Sequence, residues 1–209
     1  MSPLSPDLMD RLGVLFALYK GLKVDTDYWW RKEQDEPNEI HRRAAVRSTF
    51  ALIEGVTFSI KQLASTWIRD SQGSLPWRVL GPKEMGQLAL LREESYDLDD
   101  KGQVIIRPAR LDLLRNVRFA FNAFFRIIHM SDSPLDASAR GWSTFRDAMR
   151  VRNRLMHPKK PGDIAVSTDE ALLVNQAYVW FHELFLAGFR GPGDGQAGGQ
   201  GAEAEDGRV

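Results

Sequence analysis

Cysteine is absent from the 209 residues, which excludes a disulfide framework and any thiolate metal site. No apolar run approaches the roughly eighteen residues needed to span a bilayer. The N-terminal stretch MSPLSPDLMDRLG has neither a basic n-region nor a continuous apolar segment, so no export signal is expected. Net charge is missing too: 28 Lys and Arg balance 28 Asp and Glu, which argues against a wholly basic nucleic-acid binder. Histidines number only four, and neither a His-x3-His pair nor an Asp/Glu/His cluster has the spacing of metal ligands. The glycine-rich stretch lies at the C-terminus with no strand before it, so neither a P-loop nor a dinucleotide site is supported. These absences leave the expectation of a cytoplasmic protein without membrane contact, resident metal or cofactor.

What is present suits a single domain with a tail. Apolar residues make up 43% of the chain, and eleven Phe with six Trp are ample for a packed core. Apolar residues recur at spacings of three and four, the mark of amphipathic helices. Leu8, Leu12, Leu15, Phe16 and Tyr19 predict a first helix capped at Asp7, followed by a loop over DTDYWWRKEQDEPN. A long helix is predicted from about Asn38 to Arg69, with Val46, Phe50, Ile53, Thr57, Ile60, Ala64 and Trp67 on one face and SQGSLPW breaking it. Residues 81–95 read as a shorter helix. YDLDDKGQVIIRP reads as a β-hairpin turning at Lys101 and Gly102, too small to be an independent sheet. Leu111, Leu114, Val117, Phe121, Phe124, Phe125 and Ile128 predict another helix. Gly141 and Trp142 lead into the next, and a last one spans Asp169 to Phe189 with Leu172, Leu173, Gln176, Ala177, Trp180, Phe181, Leu184 and Phe185 inward. The tail GPGDGQAGGQGAEAEDGRV has nothing to bury and is expected to be disordered. The fold class is therefore all-α: a bundle of four to five main helices with a short β-hairpin insertion.

The balanced charge hides a basic stretch. Residues 140–160 hold Arg140, Arg146, Arg150, Arg152, Arg154, Lys159 and Lys160 against one acid, Asp147, a plausible footprint for a polyanion. At about 100° per residue, Ala148, Met149, Leu155 and Met156 fall within roughly 80° of Phe145 and form a buried stripe. Arg146, Arg150 and Arg154 point sideways or away. Arg152 lands in the middle of the apolar face, where a guanidinium costs several kcal/mol unless it is paired or placed in a wet cleft. Asn153 and His157, four apart, share a face beside the stripe. Pro158 disfavours the helical conformation at His157, so the helix is predicted to end near Met156, leaving His157 free to swing toward Asn153 and Arg152.

The segment RNRLMHP resembles the Arg-x4-His motif of the HEPN superfamily, in which a polar residue, often Asn, follows the arginine. The likeness extends over residues 38–189, with RSTFALIEGVTFSIKQLA similar to the family's upstream helix, 1–37 as an N-terminal helix and loop, 72–107 as an insertion and 190–209 as the tail. The resemblance implies a metal-independent endoribonuclease, a toxin or antiphage defence effector, usually acting as a homodimer with the motifs apposed. It gives His157 the role of general acid or base, Arg152 that of stabilising the charged phosphorane, and Asn153 that of orienting the histidine or the phosphate. Glu54, on the long helix, would support Arg152, as an acid does in some relatives. RNA supplies its own nucleophile, the 2′-hydroxyl, so side chains need only move protons and neutralise charge.

Arg146, Arg150, Arg154, Lys159 and Lys160 are the expected RNA contacts. An antitoxin or defence-system partner is also implied. Some relatives are silenced by a nucleotidyltransferase and carry a tyrosine two residues after the histidine. Lys159 stands there instead, which puts silencing of that kind in doubt. The competing expectation is a non-catalytic HEPN-like module that binds nucleotide, RNA or a protein partner. A plain helical interaction module with an accidental motif is a third. His41, His129 and His182 have no motif context and read as structural or surface residues. Trp67, Trp142, Trp180 and Phe181 read as core or dimer contacts.

Overall fold

The computed structural model describes residues 5–71, 82–129, 133, 135–136 and 138–189. The chain folds as α1 (Pro6–Asp35), α2 (Glu39–Ser71), α3 (Pro82–Leu91), β1 (Glu94–Leu98), β2 (Val104–Pro108), α4 (Leu113–Phe124), α5 (Arg140–Met156) and α6 (Thr168–Ala187). A π-turn, Phe125–His129, extends α4, and a 3₁₀ turn, Pro161–Ile164, links α5 to α6. The fold is all-α with one short antiparallel hairpin.

The central element is α2. Val46, Phe50, Ile53, Thr57, Ile60 and Ala64 of its expected inner face are buried and Trp67 is half-buried, but Leu52, Val56, Ser59, Lys61, Leu63 and Thr66 are buried as well. Between residues 56 and 68 the helix is therefore enclosed on nearly every side, which no single stripe predicts. Its surroundings are α1, α4, α5 and α6, which share one core that includes Leu8, Leu15, Trp30, Phe121, Phe145 and Phe181. A smaller cluster of Ala64, Ile68 and Leu91 fixes α3 to the far end of α2.

Two expectations for α1 are corrected. Its N-cap is Ser5, whose hydroxyl accepts the Leu8 amide at 3.1 Å, with Pro6 at the first helical position and Asp7 in the first turn. Residues 25–35 are helix rather than loop. Part of their polar character lies on the surface, where Lys32 and Glu36 pair four apart. The inner face buries Thr26 and Trp30, and the indole donates to Thr49 Oγ1 at 3.0 Å. The turn into α2 is clamped by Arg42, which pairs with Glu33 at 3.1 Å and donates to the Val166 carbonyl at 2.7 Å.

The short helix expected over 81–95 ends at Leu91, because Glu93 turns left-handed (φ 59°) and the chain enters β1. Tyr96 pairs with Ile106 and Leu98 with Val104 across the hairpin, and Gly102 (φ 74°) makes its turn. All four of those apolar side chains are more than half exposed. The last helix is capped by Ser167 and Glu170 in a reciprocal box. Its buried stripe is Ala171, Val174, Ala177, Tyr178, Phe181, Leu184 and Phe185, so Leu172 and Gln176, expected inside, face out. Tyr178 draws the stripe round because its hydroxyl reaches Asp27 on α1 at 2.6 Å. SQGSLPW beyond Ser71, and the tail from residue 190, lie outside the described residues.

Packing between α5 and α6 is tightest at Gly141, where a Cβ would sit 2.0 Å from Trp180 Cδ1. Trp180 stacks on Phe145 (5.4 Å) and meets Trp142 edge-on (5.9 Å), so it has little room to retreat. Gly141→Ala is expected to cost about 1–3 kcal/mol by overpacking, although alanine is the better helix former. Chemical denaturation followed by tryptophan fluorescence reads this directly, and an alanine variant as stable as the parent contradicts the close approach.

Candidate functional site

The motif helix ends where Pro158 predicts. Met156 is the last residue of α5, and His157 leaves it with φ −129° and ψ 58° while its amide still donates to the Asn153 carbonyl at 3.1 Å. Phe145, Ala148, Met149 and Leu155 are buried as expected, together with Trp142 and Val151. Met156 is not: it is 47% exposed, at the start of a stretch exposed through residue 162.

Arg152 takes the solution an inward guanidinium needs. Its Nη2 donates to Glu54 Oε1 at 2.6 Å and its Nη1 to Asn153 Oδ1 at 3.1 Å. The Arg152 side chain is 19% exposed and that of Glu54 44%, so the pair lies at a surface and is not sealed in the core. Of the five N–H donors of a guanidinium, one goes to Glu54 and one to Asn153. The Nε–H is buried with no acceptor among the described residues. Two remain for a ligand.

Beside this pair lies a cleft of about 450 Å³, within the range of small-ligand sites. From α2 it takes Glu54 and Phe58, and from α5 Met149, Arg152 and Asn153. The base of the hairpin and the start of α4 supply Glu93, Leu111, Asp112, Leu113 and Asn116. Behind the Glu93 wall stands Lys61, its side chain 0% exposed and its Nζ 2.5 Å from Glu93 Oε1. Sequence reasoning missed this pair. Nothing local signals it, since the partners are 32 residues apart and meet only when α3 folds back on α2. Asn116 was missed for the same reason; its Oδ1 is buried without a donor.

The structure thus joins Glu54, Arg152 and Asn153. His157 does not line this cleft, and its exposed imidazole makes no hydrogen bond to any described residue. Of the expected RNA contacts, Arg146, Lys159 and Lys160 are exposed, and Arg150 is mostly so while meeting Asp147 at 3.2 Å. Arg154 departs from the expectation of a solvated side chain, because its Nη2 faces both Glu170 carboxylate oxygens at 2.7 Å, tying α5 to α6. Asp163 accepts the Lys159 and Lys160 amides, and those contacts, Lys159 first, hold it below the usual carboxylate range against an opposing effect of desolvation. No group of three or more His, Asp or Glu side chains that could hold a metal ion occurs among the described residues.

His41 exchanges hydrogen bonds with Asn38 and Glu36 at the start of α2, and the His129 side chain lies outside the described residues. His182 belongs to a polar seam between α1 and α6. Tyr19 hydrogen-bonds its Nδ1, while Tyr178 and Lys23 hold Asp27 at 2.6 and 2.5 Å. Burial, then the charge of Asp27, pushes the Tyr19 hydroxyl up to about 12. Burial first, then the charge of Lys23, lowers the pKa of His182. The fold therefore favours the neutral imidazole, whose contribution is present above the ordinary value of about 6.5 and fades as pH falls below it. The melting temperature is expected to drop between about pH 7 and 5. His182→Gln, which keeps an acceptor for Tyr19 but cannot titrate, should melt with a flatter profile. Equal slopes in the two proteins would remove His182 as the cause.

Fold and site define the class: an all-α protein with a helix-terminal Arg-x4-His segment and an arginine–glutamate pair at the mouth of a cleft. No family model matches the chain, and neither a curated protein nor a solved structure does.

Proposed function

We propose that the protein is a metal-independent endoribonuclease of HEPN type, acting as a toxin or defence effector. The observation that carries this reading is the Glu54–Arg152–Asn153 arrangement, with Arg152 facing a cleft one turn before a helix end that frees His157. Arg152 keeps two N–H donors, one of them for the phosphate, and Glu54 fixes its plane. His157 takes the proton of the 2′-hydroxyl as the 2′-oxygen bonds to phosphorus and the P–O5′ bond breaks. A second acid delivers a proton to the departing 5′-oxygen, leaving a 2′,3′-cyclic phosphate. A two-fold dimer with the motifs apposed supplies that acid as the His157 of the second copy and doubles the basic surface of Arg146, Arg150, Lys159 and Lys160. An antitoxin or defence partner would restrain the activity.

One observation favours a second reading: His157 stands outside the cleft that Arg152 lines, as suits a non-catalytic module binding nucleotide, RNA or a protein. Induction of the wild type beside Arg152→Ala and His157→Ala in a bacterial host separates the two. Growth arrest and RNA fragments with cyclic phosphate ends from the wild type alone support the ribonuclease. Intact RNA in all three supports the binding module.

A further inference from the structure

We propose that the cleft between α2, α4 and α5 holds one guanine base of the RNA and reads its Watson–Crick edge, so that the strand is cut beside guanosine. This rests on the ribonuclease reading above and names its substrate more narrowly.

The cleft is built for a base rather than for a phosphate. Its lining carries three carboxylates, Glu54, Glu93 and Asp112, against the single guanidinium of Arg152. Arg152 pairs with Glu54, Lys61 with Glu93 and Arg115 with Asp112, so the cleft has no surplus cation for a phosphate, while one lying outside meets the exposed basic residues of α5 and the loop after it. The remaining walls include Leu111, Leu113 and Met149, with Phe58, 45% exposed, among the lining residues. A flat ring can stack on an exposed phenyl face.

The hydrogen-bonding capacity left over selects the base. Glu54 commits one oxygen to Arg152 and Glu93 commits one to Lys61; the second oxygen of each has no partner among the described residues. Asn116 Oδ1 also lacks a donor. These acceptors call for N–H groups on a complementary ligand, and the N–H donors left on Arg152 call for an acceptor beside them. Guanine alone among the four bases places an imino N–H and an amino group side by side, two adjacent donors for the carboxylate acceptors left free here. Its O6, next to them, accepts from a guanidinium, here a free N–H of Arg152. Adenine and cytosine would set a bare ring nitrogen against the carboxylate, and uracil would set carbonyl oxygens there.

Glu93 is the reader best suited to this. A fully buried ammonium holds one of its oxygens, and its left-handed backbone (φ 59°) is a conformation that glutamate adopts only at a cost. Its carboxylate is therefore fixed before a ligand arrives.

The test uses the intact chain and varies the ligand. Short RNAs identical except for one central nucleotide (G, inosine, A, C or U) are compared, with 2′-O-methyl versions for binding and unmodified versions for cleavage. Inosine lacks only the amino group. The guanosine oligomer is expected to bind about ten- to a hundredfold more tightly than the inosine one, and cleavage should fall beside G. Glu93→Gln should reduce that ratio toward one. Because this variant also touches the Lys61 pair, the inosine comparison in the unaltered protein stands as the deciding measurement. Equal binding of all five oligomers, with Arg152-dependent cleavage intact, overturns the guanine proposal and leaves the ribonuclease. A preference for G without any cleavage supports the base site and overturns the ribonuclease instead.

Discussion

Glu93→Ala should lower the stability of the protein by about 3–5 kcal/mol, the penalty for stranding a buried charge. Lys61 is 0% exposed and its ammonium rests on Glu93 at 2.5 Å. Removing the carboxylate leaves a positive charge inside the bundle with no other counter-ion among the described residues. The effect should fall toward the lower end of that range, because the Glu93 side chain is 37% exposed and water can follow the carboxylate out. The reverse deletion is milder. Lys61→Met replaces the buried stem with an apolar chain of similar length and leaves a carboxylate that water can solvate. Chemical denaturation of both single variants and the double variant gives the answer. The double should resemble Lys61→Met and be clearly more stable than Glu93→Ala. A Glu93→Ala protein within about 0.5 kcal/mol of the parent, the usual span for a surface change, would show that the pair is a surface contact.

Arg152→Ala should reduce the rate of RNA cleavage by about 10²–10³, the usual loss when one stabiliser of developing charge is removed. His157→Ala should reduce it by about 10²–10⁴ through the lost proton transfer. Combining them should cost little more than the worse single change, since groups acting in one step are not additive. Arg152→Lys should rescue poorly, because an ammonium lacks the fork that reaches Glu54, Asn153 and a phosphate together. Glu54→Gln removes the charge that fixes the guanidinium while keeping its shape, and a loss smaller than that of Arg152→Ala is expected. The readout is single-turnover cleavage by purified protein, with thermal melts to exclude unfolding. Full activity in His157→Ala would sink the assignment of that imidazole.

Much of the site was legible in the chain. The angular position of Arg152 among Phe145, Met149 and Leu155 called for a partner, and Glu54 was a candidate on the facing helix. Pro158 placed the helix end within a residue. The cleft was not legible. Its walls come from α2, the hairpin base, α4 and α5, and residues such as Phe58 and Asn116 carry no local pattern. The loop expected over 25–35 failed for a related reason. Its polar residues and tryptophans suggest a turn, but Trp30 finds its buried partner, Thr49, only once α2 is in place.

By itself the sequence determined the helical class, the order of the elements, the hairpin turn at Gly102 and the end of α5. Each depends on periodicity, glycine or proline chemistry within a few residues. Tertiary structure alone decided which charges are buried, that Lys61 meets Glu93, that Arg154 is bound to Glu170 rather than free, and that Arg152 opens on a cleft. Helical periodicity specifies which side of a helix is apolar. Burial of a polar group depends on how many neighbours surround that helix and which of their side chains can answer its charge.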